Sequence, residues 1–246
     1  MRPVYKTLLK IVILLGVASY LVYALASLNH PKQELECKGL SIDINDEQHT
    51  DFINENEIRD LLVKKQIFPE GRALKDIDLA QMESVLVASP YIEEALCYTT
   101  PEGQVAIRVT PRIPIMHVIN TAGEDFYIDN CGGTMPRGHH VIDLIVMTGY
   151  VQRATAGTLY TPLATKLTAD PYWRDQIQEV HVDAGGEITL TPRIGDHIII
   201  FGDTSNIEDK LSRMKTFQSE GLDKAGWNRY KTISVKYAGQ VIATKR

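Results

Sequence analysis

The sequence predicts an α+β protein in which a single amino-terminal transmembrane helix precedes two exported domains. Three observations lead to this prediction. Residues 11–28 are apolar and uncharged, residues 31–111 have the pattern strand, helix, helix, strand, strand, and residues 112–246 contain mostly strands with a few helices. The 246-residue chain is 44% hydrophobic and 23% charged, which is enough apolar surface for packed cores and excludes a disordered protein.

The apolar run at residues 11–28 reads IVILLGVASYLVYALASL. As a helix it would be about 27 Å long, close to the thickness of a bilayer core. Arg2, Lys6 and Lys10 precede it without any acidic residue, so residues 1–10 are expected to form a short cytoplasmic tail and the rest to be exported. The alternative is a cleaved signal peptide with its cleavage site at residues 24–26, Ala-Leu-Ala. The length of the uncharged run favours a retained anchor.

The first exported region, residues 31–111, begins with a strand, since Leu40, Ile42 and Ile44 alternate with polar residues. Asn54 and Glu57 have the spacing of a capping box at a helix start, and a second helix is predicted to begin near Asp78. Two strands then follow across a turn at residues 101–103, with the sequences YIEEALCYTT and QVAIRVTPR. The predicted order is β-α-α-β-β.

The second exported region, residues 112–246, is predicted to form a mostly antiparallel β domain with a few helices. A short helix is expected to begin at Thr161, with Pro162 at its first helical position, and a capping box from Ser205 to Glu208 opens an amphipathic helix. Strands are predicted at residues 115–119, 126–129 and 141–149, and in the segments QIQEVHVD, EITLTPR, HIIIFGD, TISVKYAG and QVIATKR.

The junction between the two regions carries Pro111 and Pro114. Two prolines within four residues restrict the backbone and remove two hydrogen-bond donors. The sequence therefore predicts a semi-rigid hinge at this position and not a flexible tether.

Several short motifs occur along the second region in the same order as in a known protein family. They are Arg112-x-Pro114, Phe126-Tyr127-Ile128-Asp129 followed by Gly132-Gly133, Ile177-x-x-Val180, Leu190-x-Pro192-Arg193-x-Gly195, Ile200-x-Gly202-Asp203, Lys210-Leu211, Gly226-Trp227-x-x-Tyr230 and Lys236-Tyr237-x-x-Gln240-Val241. Their order and spacing resemble the FtsQ/DivIB family of bacterial cell-division proteins, in its Bacteroidetes-type branch. The β-α-α-β-β order that follows the predicted membrane span resembles a POTRA domain, a module that binds other proteins.

The resemblance implies a non-enzymatic bitopic membrane scaffold of the bacterial divisome, which recruits and links division proteins at the septum. It implies FtsB and FtsL as the main partners, with FtsK and the septal peptidoglycan synthase as further ones. It also implies a location in the cell inner membrane, with a cytoplasmic amino terminus and periplasmic domains. The alternative from another functional class is a secreted envelope enzyme or glycan-binding protein with a cleaved signal peptide.

Residues suited to catalysis or metal binding are sparse. The chain lacks the GxSxG, HExxH, SxxK and GxxxxGK[ST] motifs, so no catalytic residue or cofactor is predicted. His139 and His140 have no second ligand cluster and are interpreted as loop residues. Carboxylates at predicted strand ends are expected to make turn hydrogen bonds, namely Asp129, Asp143, Asp183 and Asp203. A pI near 5.8 without a basic cluster argues against nucleic-acid binding.

The predicted partner-binding surface is the carboxyl-terminal strand pair. The final strand of a sheet often lies at its edge, where its unpaired N–H and C=O groups can bind a strand of a partner. By the family resemblance, Lys236, Tyr237 and Gly239 match the FtsB contact, and the predicted site comprises Lys236, Tyr237, Gly239, Gln240, Val241 and Ile242. In this interpretation Ile233, Val235 and Tyr237 share one face of a strand that spans residues 231–237. The alternative is that Tyr237 and Val241 are ordinary inward-packing residues.

Overall fold

A computed structural model describes residues 13–24, 35–46, 52–138 and 142–246 of the chain. Residues 13–24 form helix α1. No helix within the described ranges is both long and apolar enough to cross a membrane. The predicted tail (residues 1–10), both ends of the predicted span, most of the alternative cleavage site and the His139–His140 pair lie outside the described residues.

The first region confirms the predicted order β-α-α-β-β. It consists of β1 (Leu40–Ile44), α2 (Glu55–Lys64), α3 (Leu79–Val87), β2 (Ile92–Thr99) and β3 (Val105–Pro111), with a short 3-10 turn at Leu74–Asp76. The three strands make one sheet in the order β1-β3-β2, in which β3 runs parallel to β1 and antiparallel to β2. Because one strand pair is parallel, the two helices supply the crossover between β1 and the β2–β3 hairpin.

Helices α2 and α3 begin where the sequence predicts. The Asn54 side-chain oxygen accepts the Glu57 N–H at 3.0 Å, and the Glu57 carboxylate accepts the Asn54 N–H at 3.2 Å, so the capping box is confirmed. Asp78 caps α3 by accepting the Gln81 N–H at 2.9 Å. The buried residues of the two helices pack with the strands into one core, which includes Ile58, Leu62, Met82, Leu86 and Ile107. Cys37 and Cys97 are buried in this core, and both are free thiols.

The second region is built on a nine-stranded sheet. Its strands are β4 (Pro114–Asn120), β5 (Asp125–Asp129), β6 (Thr134–Pro136), β7 (Val146–Gly149), β8 (Ile177–Val182), β9 (Ile188–Pro192), β10 (Ile198–Gly202), β11 (Tyr230–Ser234) and β12 (Ile242–Lys245). They lie in the order β12-β11-β10-β9-β8-β7-β4-β5-β6.

This sheet is mixed: in the described part of the chain five of its eight neighbouring strand pairs are antiparallel, in agreement with the prediction of a mostly antiparallel domain, and three are parallel. The pairs β4–β7, β7–β8 and β10–β11 are parallel, and the other neighbours are antiparallel. Parallel neighbours need long crossover connections. Helices α4 (Arg153–Ala169) and α5 (Pro171–Gln176) connect β7 to β8. Helix α6 (Ile207–Phe217), a π-helical turn (Gln218–Leu222) and α7 (Asp223–Ala225) connect β10 to β11.

The predicted start of the first of these helices is wrong. Helix α4 begins at Arg153, and Pro162 lies inside it instead of at its first position. The first turns of α4 are rich in small residues, and their apolar residues show little helical periodicity. These turns pack closely against another part of the chain: a Cβ atom at Gly157 would lie 1.9 Å from the Gly132 carbonyl oxygen. Only glycine permits this close approach of the helix to the loop after β5.

The predicted capping box at residues 205–208 is also wrong. Helix α6 begins at Ile207, and its N-cap residue Asn206 makes no side-chain capping bond. The Ser205 hydroxyl donates instead to the Asp203 carboxylate, which also binds the Lys210 ammonium at 2.7 Å. Asp203, three residues before the N-cap residue, therefore holds the start of this helix through its bonds to Ser205 and Lys210.

Candidate partner-binding surface

Strand β12 is an edge strand. Among the described residues it pairs with β11 alone, in antiparallel register, and β11 pairs in turn with β10. The prediction that the carboxyl-terminal strand lies at the edge of the sheet is thus confirmed. One side of the β12 backbone has no neighbouring strand in the described part of the chain, so it can accept one.

The connection from β11 to β12 differs from the predicted strand. Regular pairing of β11 ends at Ser234, although the Val235 N–H still donates to the Ile200 carbonyl at 3.0 Å. Ile233 and Val235 are buried, whereas Tyr237 is 52% exposed. The chain leaves the sheet after Val235 and turns at Gly239, where φ is +69°. A positive φ of this size is readily adopted by glycine.

The six predicted site residues therefore have different environments. Tyr237 and Ile242 are exposed, at 52% and 45%, and do not pack inward. Val241 is half-buried and packs against the core of the large sheet, as the inward-packing alternative proposes. Gln240 and Gly239 are exposed in the turn.

Arg213 on α6 holds this turn in place, and it was missed in the sequence analysis. Its guanidinium donates to the Val235 carbonyl at 3.0 Å, to the Tyr237 carbonyl at 2.9 Å and to the Gln240 carbonyl. The Asp209 carboxylate accepts a further bond from Arg213 at 2.9 Å, one helical turn away. The i,i+4 spacing with Asp209 was visible in the sequence, but it is typical of any solvated helix face. The contacts with the turn come from more than 20 residues away.

Lys236 joins the turn to a neighbouring hairpin. Its ammonium donates to the Glu187 carboxylate at 2.9 Å, and this hydrogen bond raises the pKa of Lys236. Gly202 lies beneath the aliphatic part of Lys236, where a Cβ atom would approach the lysine Cγ to 2.9 Å. Nearby, the hydrogen bonds from Lys210 and Ser205 hold the pKa of Asp203 well below its usual range. This end of the surface therefore keeps fixed charges of both signs.

Two depressions flank the turn. A groove of about 450 Å³ runs between α6 and the turn, lined by residues that include Thr216, Phe217, Gly239 and Val241. A second depression of about 340 Å³ is lined by residues that include Glu187, Asp203, Lys236 and Tyr237. A free strand edge with concave surfaces beside it is suited to bind an extended peptide segment through its backbone and its side chains. No group of three or more His, Cys, Asp or Glu side chains suited to a metal ion is present in the described ranges.

Comparisons with known proteins match both regions. A family model described as FtsQ/DivIB, C-terminal related, matches residues 113–244, which is more than half of the chain. A model of a POTRA-like domain matches residues 35–110. No curated protein matches the sequence significantly.

Proposed function

The chain belongs to the FtsQ/DivIB family, and from this premise we propose that it is a non-enzymatic scaffold of the bacterial divisome. In this proposal its two folded regions recruit and link other division proteins at the septum. The POTRA-like region and the large mixed sheet supply binding surfaces. Family membership supports a role in division, and the geometry of β12 supports a role in protein binding.

We place the scaffold in the cell inner membrane, anchored by residues 11–28, with residues 1–10 in the cytoplasm and residues 31–111 and 112–246 as two periplasmic domains. The proposed partners are membrane proteins of the FtsB and FtsL type, with FtsK and the septal peptidoglycan synthase as further partners. The charge distribution before residue 11 supports this orientation.

The observation that carries the proposal is the exposed edge of β12 beside an outward-facing tyrosine. A partner strand of FtsB type would pair with β12, while the Tyr237 ring and Ile242 contact its side chains. Tyrosine is well suited to this role because its ring buries a large apolar area and its hydroxyl can keep a hydrogen bond. Arg213 keeps the turn in the conformation that presents Tyr237.

Binding of an FtsB–FtsL pair to the full chain in detergent tests the proposal. We expect Tyr237→Ala and Ile242→Asp each to weaken capture by about 1 to 2 kcal/mol, or roughly 5- to 30-fold in Kd, because each removes an exposed apolar contact. Their thermal unfolding should stay close to that of the unmodified chain. Val241→Asp is a harsher change, since Val241 also packs against the core.

Matched controls come from the same sheet region but far from its β12 edge. Tyr150 and Ile119 are exposed to a similar extent, so Tyr150→Ala and Ile119→Asp should bind normally. If Tyr237→Ala and Ile242→Asp fold and bind as well as these controls, the partner surface lies elsewhere. If both variants unfold, the residues are structural and the proposed contact is wrong.

A further inference from the structure

Arg112 and Ile113 connect the two sheets, and backbone hydrogen bonds join this connection to both regions. Strand β3 ends at Pro111 and β4 begins at Pro114. The Arg112 N–H donates to the Tyr91 carbonyl at 2.9 Å, which extends the ladder of the first sheet. The Ile113 carbonyl accepts the Asn130 N–H at 2.9 Å from the second region. The connection is therefore held by backbone hydrogen bonds at each of its residues.

The Arg112 side chain makes a second connection across the junction. Its guanidinium donates to Asp129 Oδ2 at 2.8 Å, and the Asp129 carboxylate is fully buried. The other carboxylate oxygen accepts the N–H groups of Cys131 at 3.0 Å and Gly133 at 2.6 Å. Three donors thus compensate a buried negative charge, and one of them comes from the connection to the first sheet.

Gly133 is required for this arrangement. A Cβ atom at this position would lie 2.5 Å from Asp129 Oδ2 and 3.1 Å from Arg112 Nη1. A side chain would therefore push the carboxylate and the guanidinium apart. The occurrence of Asp129 and Gly133 in one sequence motif is therefore explained by the junction between the two regions, where Asp129 forms the ion pair with Arg112 and Gly133 leaves room for it.

A cluster of buried side chains lies beside this ion pair and contains residues from both regions. Phe52 and Tyr127 are almost fully buried and meet edge to face, with ring centroids 5.6 Å apart. Phe52 also stacks on the half-buried Tyr91, with ring centroids 6.2 Å apart, and Met135 is buried against them. Phe52 and Tyr91 flank the elements of the first sheet, whereas Tyr127 and Met135 lie on β5 and β6. We call these four residues the junction cluster.

A third contact joins the same two regions. The Cys131 thiol donates to the Glu93 carboxylate at 3.1 Å, and this bond is the main cause that raises the pKa of Cys131 to about 11. Serine could donate the same hydrogen bond, so the contact does not depend on thiol chemistry.

We propose that the Arg112–Asp129 pair and the junction cluster form a latch that holds the two regions in one fixed relative orientation. Buried aromatic contact resists bending, and the ion pair fixes the rotation about the two-residue connection. The latch converts a hinge between two small domains into a rigid joint. If the proposed function is correct, the latch also sets where the β12 edge lies relative to residues 35–46, near the predicted membrane anchor.

Distance measurements by pulsed electron spin resonance on the full chain in detergent micelles test the latch. Spin labels at Lys64→Cys and Thr158→Cys lie on exposed positions of α2 and α4, and Cys131→Ser removes the exposed native thiol while keeping a donor to Glu93. In this background we expect one narrow distance distribution. Arg112→Gln combined with Phe52→Ala should broaden the distribution at least twofold.

Arg108→Gln is the matched control. Arg108 lies on the same strand, β3, and pairs with Asp43 at 3.1 Å, but this pair is exposed and lies within the first sheet. The control should leave the distribution narrow. Circular dichroism checks that the double variant keeps its secondary structure, and Arg112→Gln alone serves as the milder change if it does not.

A broad distance distribution in the labelled Cys131→Ser background, without the latch substitutions, would overturn the proposal whatever the variants show. A narrow distribution in the folded double variant would show that other contacts hold the two regions. Neither readout involves a partner protein. Failure of the latch and failure of the proposed scaffold role are therefore distinguishable.

Discussion

Single carboxylates at strand ends determine several of the turns in this protein. The Asp129 carboxylate accepts the N–H groups of Cys131 and Gly133, and Asp183 accepts those of Gly185 and Glu187 at 2.8 Å each. Asp203 accepts the Ser205 N–H at 3.1 Å. These turn hydrogen bonds confirm the prediction for Asp129, Asp183 and Asp203, because they join residues two to four positions apart and are a local property of the chain. Asp143 does not follow the prediction: it lies exposed before β7 and faces Arg193 at 3.8 Å.

The most informative titratable residue is His197, which lies just before β10 and is almost fully buried. Burial is the main cause that lowers the pKa of His197 below its usual value of 6.5. The Trp227 backbone and the Asp196 carboxylate act in the opposite direction, and Arg246 lowers the pKa further. The unfolded chain therefore binds more protons than the folded chain below about pH 6.5. The contribution of His197 to stability is present above that pH and is lost as the pH falls towards the lowered pKa.

We expect the unmodified chain to lose more unfolding free energy between pH 7.5 and pH 5 than the His197→Phe variant does. The phenylalanine ring fills a similar apolar site beside Trp227 and cannot take up a proton. Chemical denaturation of both proteins at the two pH values measures the difference. Equal losses in both proteins would mean that the folded chain protonates His197 as readily as the unfolded chain.

Among the secondary-structure elements, the contact between helix α6 and the turn that follows β11 stabilises the predicted binding surface. One guanidinium satisfies three carbonyl groups of the turn, at Val235, Tyr237 and Gln240. Hydrogen bonds from a charged donor are stronger than neutral ones. The helix thereby acts as a support for the strand edge, which would otherwise end in a loop of exposed residues.

We expect Arg213→Met to loosen this turn and to destabilise its local structure by about 1 to 3 kcal/mol, because three carbonyl groups, of which that of Val235 is partly buried, lose a charged donor. Faster hydrogen exchange should then be confined to residues 235–242. Lys215→Met on the same helix is the matched control, since the Lys215 ammonium contacts Asp170 instead. Unchanged exchange in the Arg213 variant would show that β12 and the core hold the turn without the arginine.

At the scale of the whole molecule, the proposed role depends on the amino-terminal segment. If residues 11–28 anchor the chain, protein isolated from bacterial membranes should retain Met1, and a cleaved leader would instead leave an amino terminus at Ser27. Mass spectrometry of the intact protein distinguishes the two. A mature chain that begins at Ser27 would contradict the membrane anchor and would favour the secreted alternative.

The order of the main elements, the capping box at Asn54, the helix start near Asp78 and the place of the last strand at the edge of the sheet could all be predicted from the sequence. These features depend on periodicity and on side chains within a few residues of one another, so they can be recognised locally. The family resemblance was equally visible, because its motifs keep their order along the chain.

The contacts between distant parts of the chain are visible in the three-dimensional structure and not in the sequence. The start of α4 depends on the contact between Gly157 and Gly132, and the outward position of Tyr237 depends on the carbonyl bonds from Arg213. The Arg112–Asp129 pair joins the connection between the regions to the end of β5. In each case the partners lie on different elements, so the energy that selects the conformation comes from contacts that no local pattern contains.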